Sequence, residues 1–182
     1  MALPAYMDTR NRAIELVQMG LRIQMVQEIT GVSRSFLSDV WREQGAGNPG
    51  RLRGMSMLFS SRPFFHQVTA FMYCLVKCER VKNAEFSRGQ TFVDAFRAFS
   101  EIRGVWAGRG RDQLTVNDAG LLFLAYRRKG LVRMECSACG APAWVIPENV
   151  RSINCAVCKG GRGELICDGE LAMEPTRERN VA

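Results

Sequence analysis

The sequence contains a single histidine, His66, and it stands in an apolar stretch. The side chain that most often moves protons near neutral pH is therefore missing from any polar cluster. No glycine-rich loop is spaced to cradle a phosphate, and no Cys/His/Glu pattern of a zinc deaminase occurs. The chain is expected not to be an enzyme, and no residue is assigned a catalytic role. No apolar run reaches the ~18 residues of a membrane span. The start from Met1 to Arg12 lacks a basic segment followed by a hydrophobic one, as a signal peptide would have. A cytoplasmic protein without membrane contact is the expectation. There is no internal repeat and no long low-complexity segment.

What is present suits one domain, or one domain with a small module: 182 residues, 47% of them hydrophobic. Twenty-five Lys and Arg against 18 Asp and Glu leave a net charge of +7, which makes attraction to a polyanion physically plausible. A basic solvated surface with no such partner has the same composition.

Ile14, Val17 and Leu21 recur at helical spacing, Gly20 and Gly31 punctuate, and Phe36, Leu37, Val40 and Trp41 mark the stretch from Ser33 to Gln44. Three short helices are predicted before a linker or exposed loop at Gly45-Ala46-Gly47-Asn48-Pro49-Gly50. Pro63 fits a first helical turn, and Phe64 to Cys78 is apolar almost all round, as a central buried helix would be. Phe92, Phe96, Phe99 and Ile102 mark the core face of a further helix that Gly104 is expected to end. Thr115-Val116-Asn117-Asp118 reads as a capping box opening a helix to Lys129, with Gly130 as its stop. The fold class that follows is mainly α, with a helical domain over 1–130 and a C-terminal four-cysteine module with its tail over 131–182.

Seven cysteines are an odd number for a disulfide framework, and in a reducing compartment tightly grouped thiols more often bind metal or lie buried. Cys136, Cys139, Cys155 and Cys158 form two C-x2-C pairs fifteen residues apart, the spacing of a four-thiolate zinc site. Gly140 and Gly160 suit the tight turns of such a site, and the loop between the pairs is expected to fold back around Trp144. Four protein ligands leave no position for water or substrate, so one structural Zn²⁺ per chain is expected. A redox pair and an iron–sulfur cluster are the competing readings. Cys74 and Cys78, one helical turn apart, and the solitary Cys167 read as buried small hydrophobes.

Residues 22–44 resemble a helix-turn-helix. Met25, Val26 and Ile29 pack the first helix, Gly31 makes the turn, and Val32, Leu37 and Val40 anchor the second, with Ser33 as its N-cap. Arg34, Ser35, Ser38 and Arg42 would then face DNA. Gln27 stands four positions before the turn glycine, where a small residue is usual, so a plain helical hairpin remains open. Further candidate phosphate contacts are Arg51, Arg53, Arg127, Arg128, Lys129, Arg133, Arg151 and Lys159. Cations near a helix C-terminus also have a non-functional reason, the helix dipole, worth ~0.3–1 kcal/mol each. Residues 164–182 hold five acidic and two basic side chains, a poor match for DNA.

Taken in order, Arg22-Ile23-Gln24-Met25, Ser33-Arg34 with Leu37, Gly54-Met55, the helix through Ala70 to Cys74 and the four-cysteine spacing resemble the FlhC family of flagellar master activators, over about residues 12–160. That resemblance implies a mostly helical subunit with zinc on the four cysteines, in a hetero-oligomer with FlhD. It also implies binding to promoter DNA and activation of flagellar genes through RNA polymerase. A zinc-containing adaptor that joins proteins without touching DNA is the alternative.

Overall fold

The computed structural model describes residues 3–45, 52–60, 62–81, 88–106, 113–136, 139–147 and 163–165. Among them are seven helices: α1 (Leu3–Gln18), α2 (Ile23–Thr30), α3 (Arg34–Glu43), α4 (Met55–Ser60), α5 (Arg62–Val81), α6 (Arg88–Trp106) and α7 (Val116–Arg127). Three short strands follow: β1 (Val132–Cys136), β2 (Pro142–Val145) and β3 (Gly163–Leu165). The chain is mainly helical, as expected, and the three helices before the linker are present. No helix among the described residues is long and apolar enough to cross a membrane.

The core forms where α5, α6 and α7 meet. Phe71 of α5 lies edge-on to Phe92 and Phe99 of α6, with ring centroids 6.2 and 5.9 Å apart, and Phe92 meets Phe123 of α7 at 5.5 Å. Such edge-to-face pairs add about 0.5–1.5 kcal/mol each beyond the area they bury. The Phe92, Phe96, Phe99 face is real, but Ile102 leaves it and is 42% exposed. At 100° per residue Arg103, not Ile102, continues the stripe. Arg103 lies 6.0 Å from the Phe99 ring and donates to the Leu114 carbonyl at 3.2 Å. Gly104 does not end the helix, which runs on to Trp106.

The Thr115 capping box is formed in full, with the Thr115 hydroxyl accepting from the Asp118 amide and the Asp118 carboxylate accepting from the Thr115 amide at 2.9 Å. At the other end the stop differs by one residue. Lys129, not Gly130, takes the left-handed conformation (φ 57). Paired bonds from Lys129 to the Tyr126 carbonyl and from Gly130 to the Ala125 carbonyl then close the last turn.

From Leu131 onward, where the sequence placed the four-cysteine module, the described residues make a three-stranded antiparallel sheet in the order β2-β1-β3. β1 carries the alternation of a strand in its sequence, Val132-Arg133-Met134-Glu135-Cys136, whereas β2 and β3, of four and three residues, do not. Trp144 is not in a loop but in β2, paired with Arg133, and with Met134 and Val145 it joins the helical core. β1 and β2 are thereby packed on the same core as the helices.

Candidate nucleic-acid interface and metal centre

The helix-turn-helix-like segment is built from local rules. Gly31 ends α2 with φ 75 and donates to the Gln27 carbonyl at 2.7 Å, which glycine does without steric cost. Thr30 donates its hydroxyl to the Val26 carbonyl and accepts from the Val32 amide, closing the turn. Met25, Val26, Ile29, Leu37 and Val40 are all buried on the inner side. Gln27 is exposed, so its bulk does not stand between the two helices. Ser33 occupies the N-cap position of α3 but makes no side-chain cap; its hydroxyl instead pairs with that of Ser35 at 3.3 Å.

The outer side of α3 carries Arg34, Ser35 and Arg42 exposed and Ser38 half-buried. Ser38 donates its hydroxyl back to the Arg34 carbonyl. Arg42 pairs with Asp39 at 3.2 Å, both exposed. With Glu43 as the second acid, the two arginines and two acids of this helix cancel.

Two contacts tie this unit to α7 and were invisible in the sequence. Asn117 of α7 accepts from the Arg22 amide and donates to the Gly20 carbonyl, both at 3.0 Å, clamping the turn between α1 and α2. Arg128 meets Glu28 of α2 at 2.6 Å, so the basic end of α7 lies against the first helix of the candidate interface. Between them is a groove of about 230 Å³ lined by Glu28, Ile29, Phe123, Leu124, Arg127 and Arg128. No sequence signal marks pairs 95 or more positions apart.

The other candidate cations are placed unevenly. Arg127 pairs with Glu79 at 3.5 Å and Arg133 with Glu135 at 2.9 Å, and Lys129 is exposed. Arg53 points inward. It pairs with Asp118 at 2.5 Å, donates to the Gln113 carbonyl and lies over the Phe64 ring, which makes it a structural clamp at the start of α7. Arg51, Arg151 and Lys159 fall outside the described residues.

Of the four candidate metal ligands, Cys136 and Cys139 are described and Cys155 and Cys158 lie outside the described residues. Cys136 ends β1, buried, and the exposed Cys139 stands three residues on in the turn to β2. Gly140 donates to the Cys136 carbonyl at 2.7 Å, Cys136 donates to the Ala141 carbonyl at 3.0 Å, and Gly140 has φ 68. The turn is thus held by two backbone bonds around a left-handed glycine. Gly163 of β3 pairs beside Cys136. Cys74 and Cys78 lie on α5, remote in sequence from this turn, and burial first, then the neighbouring Cys78, raises the Cys74 thiol above its ordinary value.

No curated protein matches the chain. A family model described as "Flagellar transcriptional activator (FlhC)" matches residues 5–162, which takes in all seven helices from their first turns and the first two strands with the turn between them. This is a family of transcription activators and not of enzymes, and the match covers well over half of the chain. The chain belongs to the FlhC family of flagellar transcriptional activators.

Proposed function

We propose that the chain is the DNA-binding subunit of a hetero-oligomeric activator of flagellar genes, stabilised by one structural zinc. The observation that carries the DNA reading is the α2–turn–α3 unit, whose apolar inner side is buried while Arg34, Ser35 and Arg42 stay exposed. Such a unit presents its second helix to a major groove, and neighbouring cations contact phosphates. Lys129 and the arginines at the end of α7 would extend this footprint, because the Arg128–Glu28 pair holds that end against α2. The smaller subunit FlhD and RNA polymerase are the protein partners that family membership suggests.

The cysteine turn fits a zinc ion. A buried and an exposed thiol three positions apart flank a turn closed by backbone bonds, and Gly163, which pairs with Cys136, follows Cys158 by five positions in the sequence. Five residues reach at most about 18 Å. Cys136, Cys139, Cys155 and Cys158 would hold the metal, which would supply folding energy at the edge of a small sheet rather than chemistry.

One observation favours the adaptor reading: Arg42, Arg127, Arg128 and Arg133 all have carboxylate partners. The deciding experiment is DNA binding by the full chain co-expressed with its smaller subunit, across a salt series, with zinc measured on the same sample. Preference for a flagellar promoter over random duplex, falling steeply with salt, supports the activator. One zinc per chain without DNA binding supports the adaptor.

A further inference from the structure

On the reading of this chain as a DNA-binding subunit, we propose that Arg10 of α1 is a further phosphate contact, delivered to the first turn of α3 by stacking on Phe36. Arg10 was not among the cations that the sequence singled out, because it lies in a preceding helix with no basic neighbour except Arg12.

The guanidinium carbon of Arg10 stands 4.2 Å from the Phe36 ring centroid and 5.2 Å from that of Tyr6. Stacking of this kind fixes the plane of the cation but occupies none of its N–H donors, which lie in that plane and suit the oxygens of a phosphate. The Nε of Arg10 is buried and has no hydrogen-bond partner among the described residues, so a phosphate would be met by the terminal nitrogens of the guanidinium. No carboxylate of the described residues pairs with Arg10, whereas Arg12 is held by Glu15, Arg42 by Asp39 and Arg128 by Glu28. Those arginines must surrender a partner to meet a phosphate; Arg10 need not.

Position adds to the chemistry. Phe36 is the third residue of α3, directly after Ser35 and two after Arg34. The cation therefore sits at the end of the helix that carries two of the exposed polar groups assigned to DNA. A guanidinium contributed from an adjacent helix would position the unit on the backbone rather than read bases, since phosphates are alike in every sequence. The ligand class is the phosphodiester of duplex DNA.

The test compares wild type with Arg10→Met, which keeps an apolar stem over the ring and removes the charge, in the full chain co-expressed with its smaller subunit. Affinities for a flagellar promoter duplex and a random duplex of equal length are measured from low to moderate salt. Arg10→Met is expected to weaken both duplexes alike, by about tenfold at low salt, and to reduce the slope of log affinity against log salt by about 0.9. A wild-type slope, with or without a lower melting temperature, overturns the proposal and leaves Arg10 a tie between α1 and α3. If Arg10→Met does not fold, phenylglyoxal modification of Arg10 in the wild-type assembly, read by peptide mass spectrometry, decides. Slowing by duplex DNA supports the contact, and equal rates with and without DNA overturn it. If the wild-type assembly binds neither duplex, the DNA-binding reading fails and the contact with it; wild-type binding with an unchanged slope removes the contact alone.

Discussion

Arg53 and Asp118, 65 positions apart, meet at 2.5 Å with the carboxylate almost wholly buried. The same Asp118 oxygen accepts from the amide and hydroxyl of Thr115, at 2.9 and 2.8 Å. One carboxylate thus caps α7 and anchors the segment that leads into α4. Removing one member of a buried pair leaves an uncompensated group and costs more than the pair itself contributes.

Asp118→Asn keeps the shape and removes the charge, so it is expected to lower unfolding free energy by about 2–4 kcal/mol. Arg53→Met should cost less, because that side chain retains some exposure. Urea titration of each single variant and of the double variant measures the pair, with about 1–3 kcal/mol of coupling expected. Single effects that simply add would show that the two side chains act independently.

Gly120 of α7 packs closely against Leu21 and Met25, at the start of the helix-turn-helix-like unit. A Cβ placed there would stand 2.6 Å from Leu21 Cδ1 and 3.0 Å from Met25 Sδ. Leu21 is fully buried and has little room to turn. Gly120→Ala is expected to destabilise by about 1–3 kcal/mol despite the better helix propensity of alanine. Adding Leu21→Val should recover part of that loss in a thermal melt. A stabilised Gly120→Ala chain would mean that α2 and α7 are not pressed together there.

The Cys74 thiol is raised above its ordinary value, by burial first and by Cys78 second. An unfolded thiol titrates near ~8.5, so above that pH the unfolded chain releases a proton that the folded chain retains. This contribution to stability is intact below the unfolded value and is lost as pH rises through the folded one. The stability of wild type should therefore fall more steeply than that of Cys74→Ala between neutral pH and about pH 10, as read from urea midpoints. Parallel curves would remove Cys74 from the pH dependence.

If the four cysteines hold zinc, Cys136→Ser should lose the metal and lower the melting temperature, with the near-UV signal of Trp144 changing, because Cys136 and Trp144 lie on adjacent strands of one sheet. A strong chelator on the wild-type chain should do the same. An unchanged melt after complete removal of the metal would show that the sheet stands on its packing against the core.

Much of the helical architecture was legible because local rules write it. The Thr115 box, the left-handed Gly31 and the periodic apolar residues of the first three helices each depend on neighbours within a turn or two. Errors fell where a local rule had a near-equal rival. Ile102 looked like the next core residue, but rotation about the axis put Arg103 on that face. Gly130 looked like the stop, but Lys129 adopted the left-handed turn and left Gly130 to donate one of its bonds. The candidate interface was less legible. Arg53 and Arg128 are both simply basic in the sequence, yet one is clamped beneath a helix cap and the other lies exposed against Glu28.

That this chain is mainly helical, that the apolar stripes of its helices supply most of its core and that it belongs to the FlhC family are all legible in one dimension, as apolar period, caps and motif order. Which polar and charged side chains meet which partners is decided by the tertiary structure. Asn117 reaches the turn between α1 and α2, Arg53 reaches Asp118, and Arg10 reaches Phe36. Each is a contact between segments whose relative placement follows from packing the whole core, so no local stretch of sequence carries it.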